Sequence, residues 1–259
     1  MVIHEFGIKS PRTFLFFPGS CEPWTEFSYA AEQLAKYFHV ILVTPDGHTP
    51  SEHTDFISVE KTSDDTAEWL KAHGITALDA LYGMSFGGAM ALHFLTGKHM
   101  PVKKAVIDAG TAPYTWPRWI CRLICVRDYL VMKAGISGIA GMKLAFPPAH
   151  FARNKENPDP EYREIQQFLK TFSNRTIWNI FWSANNYHVP NRMPETDTEI
   201  HFWVGTEEWG SRYRDLKWFQ SYLPDMKVVT IPGMMHGELV MMHPEEFARL
   251  AFAVFKADS

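Results

Sequence analysis

Cysteine is scarce in this 259-residue chain: Cys21, Cys121 and Cys125 are all there are. An odd count gives no disulfide framework and predicts a reducing, cytoplasmic setting. Residues 1–10 carry His4, Glu5 and Lys9 and lack the apolar run of a secretory signal. Long apolar runs are missing elsewhere too. The most apolar stretch, 119–146, is interrupted by Arg122, Arg127, Asp128, Lys133 and Lys143, whereas a membrane-spanning helix needs about 20 apolar residues in succession. Stable membrane insertion is therefore not expected. The Trp-rich start and scattered bases of that stretch would suit a membrane surface, but helices covering a pocket are the plainer reading. An excess of positive charge is lacking as well. The formal net charge is −4, which gives no attraction to nucleic acid or an anionic membrane.

Metal-ligand spacing is also absent. There are twelve histidines, so most must be structural. His48 and His53 invite a metal reading, but no carboxylate–histidine pattern surrounds them. Cys121 and Cys125 stand four apart, on one face of a helix, and read as apolar fillers. No metal and no cofactor are expected. No internal repeat or low-complexity stretch stands out.

What is present is enough apolar material for a full core: 46% hydrophobic residues against 21% charged. Apolar runs at 13–17, 39–44, 78–82, 102–107, 199–204 and 227–231 predict buried strands. Helical patterns fall between them, at about 25–37, 62–74, 86–96 and 213–222, with a last helix opening at Pro244. This alternation predicts an α/β fold: a mostly parallel central sheet with helices on both faces, residues 1–7 adding an antiparallel edge strand. The rhythm breaks between 111 and 190, where aromatic, Gly and Pro clusters and at least two helical patterns replace the strands. That length is too great for a plain loop. It predicts a helical cap inserted between strands of one core domain spanning 1–259.

Gly83-Met84-Ser85-Phe86-Gly87 has the form G-x-S-x-G, between an apolar strand and a helix rich in small residues. In that setting the serine occupies a strained strand-to-helix turn, and the glycines keep side chains off the neighbouring backbone. The helix N-terminus presents free N–H groups to a developing oxyanion. Here the sequence resembles the α/β-hydrolase superfamily, over nearly the whole chain. Pro18-Gly19-Ser20 stands where such enzymes carry His-Gly-x, with Pro18 departing from the pattern. The resemblance implies that the backbone N–H groups of Ser20 and Phe86 form an oxyanion hole. Pro45-Asp46-Gly47-His48 is similar to the family's turn after the following strand.

A serine hydroxyl needs a base to take its proton. Ile231-Pro-Gly-Met-Met-His236-Gly-Glu-Leu239 looks like the family's histidine loop, which implies His236 as the base. His243, directly before Pro244, competes less well. A carboxylate must hold the imidazole tautomer. The resemblance ranks three: Glu208, three residues after Gly205; its neighbour Glu207; and Asp108, from an earlier strand tip that supplies the acid in some members. A few of the insertion's aromatics are expected to line an apolar pocket, and most to pack the cap. No spacing selects a substrate ligand among Arg118, Arg122, Arg127 and Arg153.

The resemblance implies a serine hydrolase that cleaves a small or medium, apolar carboxylic ester through an acyl-enzyme. The substrate is a small molecule, and the protein a monomer or homodimer. Acyl transfer, C–C bond hydrolysis or a lyase step on the same residues remains the alternative. A non-catalytic ligand-binding protein on this scaffold is the more distant one. Dehalogenase and epoxide-hydrolase chemistry would need Asp in place of Ser85.

Overall fold

The computed structural model describes residues 1–255. Seven strands form one sheet: β1 (Val2–Phe6), β2 (Thr13–Phe17), β3 (His39–Thr44), β4 (Leu78–Met84), β5 (Val102–Asp108), β6 (Glu199–Gly205) and β7 (Lys227–Ile231). Their spatial order is β1-β3-β2-β4-β5-β6-β7. β1 runs antiparallel to β3, with Val2 opposite Thr44, and every other pair is parallel.

The central strands read as unbroken apolar runs because both of their faces are covered. Along β2, Phe14 and Phe16 join a core with Phe27, Leu34, Tyr82, Trp203 and Phe247. Leu15 and Phe17 face the other way, into a core with Val59, Leu70, Phe86, Phe94 and Phe202. The first layer is closed by α1 (Thr25–Leu34) and α11 (Pro244–Phe255), the second by α2 (Val59–Ala72) and α3 (Phe86–Thr96). Between β5 and β6 lie α4 (Arg118–Ser137), α5 (Ile139–Ala145), α6 (Pro148–Phe151), α7 (Asp159–Lys170) and α8 (Asn174–Ser183). α9 (Gly210–Tyr222) joins β6 to β7, and the short α10 (Glu238–Met242) precedes α11. Among the described residues, no helix is long and apolar enough to cross a membrane.

Two helix boundaries differ from the sequence pattern for identifiable reasons. α2 starts at Val59, earlier than the predicted start near residue 62, because the Ser58 side chain accepts the Lys61 N–H at 3.1 Å and caps the helix. Thr62, Ser63 and Thr66 are instead buried, and Ser63 Oγ donates to the Met90 carbonyl of α3 at 2.9 Å. α1 stops at Leu34 rather than near Tyr37, since the chain turns there to bury Phe38.

Phe247 is fully buried, with its ring 4.9 Å from Tyr82 and 6.1 Å from Trp203. Phe247→Ala should therefore lower the unfolding free energy by about 3–5 kcal/mol. Leu144→Ala, at a side chain 86% exposed, should change it by less than about 0.5 kcal/mol. Urea denaturation of both variants checks the contrast.

Candidate active site

Ser85 stands between the end of β4 and the first residue of α3, at φ +54° and ψ −112°. The glycines around it are sterically required. A Cβ at Gly83 would lie 2.3 Å from the Gly87 carbonyl oxygen, and one at Gly87 would lie 2.2 Å from that of Phe17 and 2.5 Å from that of Pro18. The second contact shows how closely the loop after β2, which carries half-buried Ser20, approaches the start of α3. Phe86 is the first residue of α3, so its N–H has no partner within the helix.

β7 ends at Ile231, and the following loop brings His236 back over the elbow. His236 Nε2 lies 2.7 Å from Ser85 Oγ, and Nδ1 lies 3.0 Å from Glu208 Oε2. Both His236 and Glu208 are buried. The other Glu208 oxygen accepts the Trp209 N–H at 2.9 Å, which fixes the carboxylate, and the Trp209 ring stacks on His236 with centroids 4.6 Å apart. Gly237 follows at φ +72°, and a Cβ there would meet Met84 Cε at 1.9 Å. That positive φ is the backbone conformation that favours glycine at this turn.

Of the other two acids, Glu207 is exposed and its N–H donates to the Met234 carbonyl. Asp108 is buried at the tip of β5, where Oδ2 accepts the Tyr82 hydroxyl at 2.6 Å. Burial, with the nearby Glu208 carboxylate, pushes the Asp108 carboxyl up to about 7 despite that hydrogen bond. Neither carboxylate reaches the His236 ring in place of Glu208.

One supporting residue, Glu238, went unread in the sequence, and His243 and His48 take hydrogen-bonding roles that the sequence did not predict. Glu238 is buried, accepts the Met235 N–H at 2.8 Å, and bonds His150 Nδ1 of α6 at 2.8 Å. It thereby pins the histidine loop to the inserted helices. Its other oxygen lies 3.5 Å from His243 Nε2, so His243 braces this loop without touching Ser85. His48 is buried, with Nδ1 3.2 Å from the Asp46 carbonyl and Nε2 accepting the Cys21 N–H at 3.4 Å. That bond steadies the chain just after Ser20, where Cys21 adopts φ +69°. Desolvation pushes the Cys21 thiol up to about 12 and the Cys125 thiol up to about 11. Neither is a thiolate competitor for the nucleophile.

From the insertion, Phe146 meets the Trp209 ring edge-on at 5.4 Å, and Phe151 meets Phe146 at 5.2 Å. Of its arginines, Arg153 pairs with Glu26 at 2.7 Å and Arg127 with Asp128 at 2.7 Å, while Arg118 and Arg122 are exposed.

A doubly covered, mostly parallel sheet with a strained serine at its central strand-to-helix turn defines the hydrolase class of α/β proteins. The sequence pattern of the alpha/beta hydrolase family matches residues 14–250, and the chain belongs to that family. No curated protein sequence matches it. Among solved structures, a hydrolase from Pseudomonas aeruginosa is similar at a TM-score of 0.76 and 14% identity, covering 98% of this chain and 93% of its own. The esterase from Exiguobacterium antarcticum gives 0.73 and 15%, covering 98% and 95%. A thermophilic esterase from Thermogutta terrifontis gives 0.72 and 15%, covering 98% and 92%.

Burial holds the His48 imidazole down at about 4. The unfolded chain therefore binds a proton at this residue between pH 6.5 and 4 that the folded chain refuses, so its effect is to lower stability as pH falls through that window. The stability advantage of wild type over His48→Gln should shrink by about 2–3 kcal/mol between pH 7.5 and 4.5. Denaturant unfolding of both proteins at the two pH values measures it.

Proposed function

We propose that the protein is a carboxylic ester hydrolase in which Ser85, His236 and Glu208 form the catalytic triad. The observation that carries this reading is the unbroken hydrogen-bonded chain from Ser85 Oγ through His236 to buried Glu208. Ser85 Oγ attacks the ester carbonyl carbon while His236 Nε2 takes the hydroxyl proton. Glu208 holds the Nδ1–H tautomer and stabilises the imidazolium. The N–H groups of Ser20 and Phe86 receive the oxyanion at the positive end of α3. His236 then protonates the leaving alkoxide, and the alcohol departs. Water, deprotonated by His236, cleaves the acyl-enzyme in the second half-reaction.

The helices from α4 to α8 act as a cap in this reading. Their substrate-side contribution is Phe146, which leans on the Trp209 ring above His236. An aromatic wall beside the base favours an apolar acyl or alcohol group of small to medium size. The two esterases that resemble this chain support ester hydrolysis over the other reactions of such a triad.

A fluorophosphonate probe should label native wild type, and should label neither Ser85→Ala nor heat-denatured protein. Failure of a well-folded wild-type sample to react would remove the activated serine. With a panel of 4-nitrophenyl esters, Ser85→Ala should lose about ten-thousand-fold or more in kcat. Glu208→Gln should lose about a thousand-fold or more, while Glu207→Gln should stay within about ten-fold of wild type. Faster acyl-enzyme turnover on adding alcohols, without matching release of free acid, would move the assignment to acyl transfer.

A further inference from the structure

We propose that Asp64, His93 and His99 form a second, non-catalytic site that binds a divalent zinc ion at the far end of the helix bearing Ser85. Asp64 lies on α2, His93 in the last turn of α3, and His99 just beyond the helix end at Gly97. The Asp64 Oδ1, His93 Nε2 and His99 Nε2 atoms converge within 4.8 Å of one another. Among the described residues this is the one such group of three His, Cys, Asp or Glu side chains. His93 follows Ser85 by eight residues, about 12 Å along the helix axis.

The hydrogen-bond pattern around the cluster points to a cation. His93 Nδ1 lies 3.3 Å from the His188 carbonyl oxygen, which requires a proton on Nδ1. A neutral ring with that tautomer directs the Nε2 lone pair at Asp64 Oδ1, only 3.3 Å away, so that two acceptors face each other. His99 Nε2 approaches the same oxygen at 3.1 Å. That nitrogen is buried and makes no properly directed hydrogen bond among the described residues. A cation held between the carboxylate oxygen and the two ring nitrogens would satisfy all three at once. A backbone carbonyl behind the ring is also the usual support of a metal-bound histidine, because it fixes the tautomer and orientation.

Two imidazole nitrogens and one carboxylate oxygen match the borderline-soft preference of Zn²⁺, with water completing a tetrahedron. Side-chain exposures of 16% for His93 and 18% for His99 against 51% for Asp64 leave an approach from solvent on the carboxylate side. Gly97 makes room, since a Cβ there would lie 2.7 Å from His99 Nε2. The ion would tie α2 to the C-terminal end of α3 and, through the His188 carbonyl, to the segment after α8. It takes no part in the chemistry at Ser85.

The test is thermal unfolding and calorimetric titration of metal-free full-length protein with zinc chloride. At a hundred-fold excess over Kd, wild type should gain about 5–10 °C in Tm with one ion bound. His99→Gln and Asp64→Asn should each lose most of that shift while keeping the metal-free Tm within a few degrees of wild type. Co²⁺ substitution should give visible d–d bands of a tetrahedral site in wild type and not in His99→Gln. Absence of a zinc-dependent shift in wild type would overturn the proposal and leave a proton-shared ion cluster. Equal zinc binding by His99→Gln and wild type would overturn it too, by moving the ion to other ligands.

Discussion

Ser85 is held in a backbone conformation, φ +54° and ψ −112°, that costs of order 1–3 kcal/mol in isolation. The surrounding chain over-determines it. The Ser85 N–H donates to the Asp108 carbonyl at 2.7 Å, and the Ser85 carbonyl accepts from Gly88 at 3.0 Å and Thr111 at 3.2 Å. These bonds tie the elbow to the tip of β5 and to the start of the insertion. Gly83 and Gly87 remove the side chains that would forbid such closeness. The same closeness presses the loop after β2 onto the start of α3, so the strain and the proposed oxyanion hole have one origin.

The acid side is organised by burial. Glu208 and Asp108 are both buried beyond neighbouring strands, and like charges placed so raise one another's cost. The Tyr82 hydroxyl donates to Asp108, and burial raises the Asp108 carboxyl toward neutrality. Trp209 serves two ends, through its N–H to Glu208 and its ring on His236. Glu238 then links this assembly to α6 of the insertion through His150. A shift of that helix would be felt at the loop carrying His236.

Much of this was legible in the residues. Apolar strand runs alternating with helical patterns predicted a mostly parallel sheet covered on both faces, and β2 sends successive side chains into opposite cores. G-x-S-x-G at the end of an apolar strand predicted the elbow because only small residues fit beside that turn. Polar residues misled where they do not face water. The helix start predicted near residue 62 falls on buried Thr62 and Ser63, the latter bonded to α3, and Ser58 caps the helix instead. Glu238 gave no signal, since a carboxylate two residues past a histidine is common, and His48 stood out only as part of the family's turn and as a metal reading that its surroundings did not support. The Asp64, His93 and His99 cluster was invisible for a related reason. Its members are spaced 29 and 6 residues apart, which matches no ligand motif, and only the packing of α2 on α3 brings them together.

The sequence by itself determined the strand and helix periods, the buried two-sided sheet and the strained serine turn. Those are set by side-chain alternation and by sterics within a few residues. Which of Glu208, Glu207 and Asp108 lies beside the imidazole was decided by tertiary structure, because adjacent residues on a loop differ only in which way they point. Whether a carboxylate meets the imidazole, takes a tyrosine hydroxyl or faces water depends on where β5, β6 and the loop after β7 converge. That convergence is a property of the packed sheet, which no local pattern encodes.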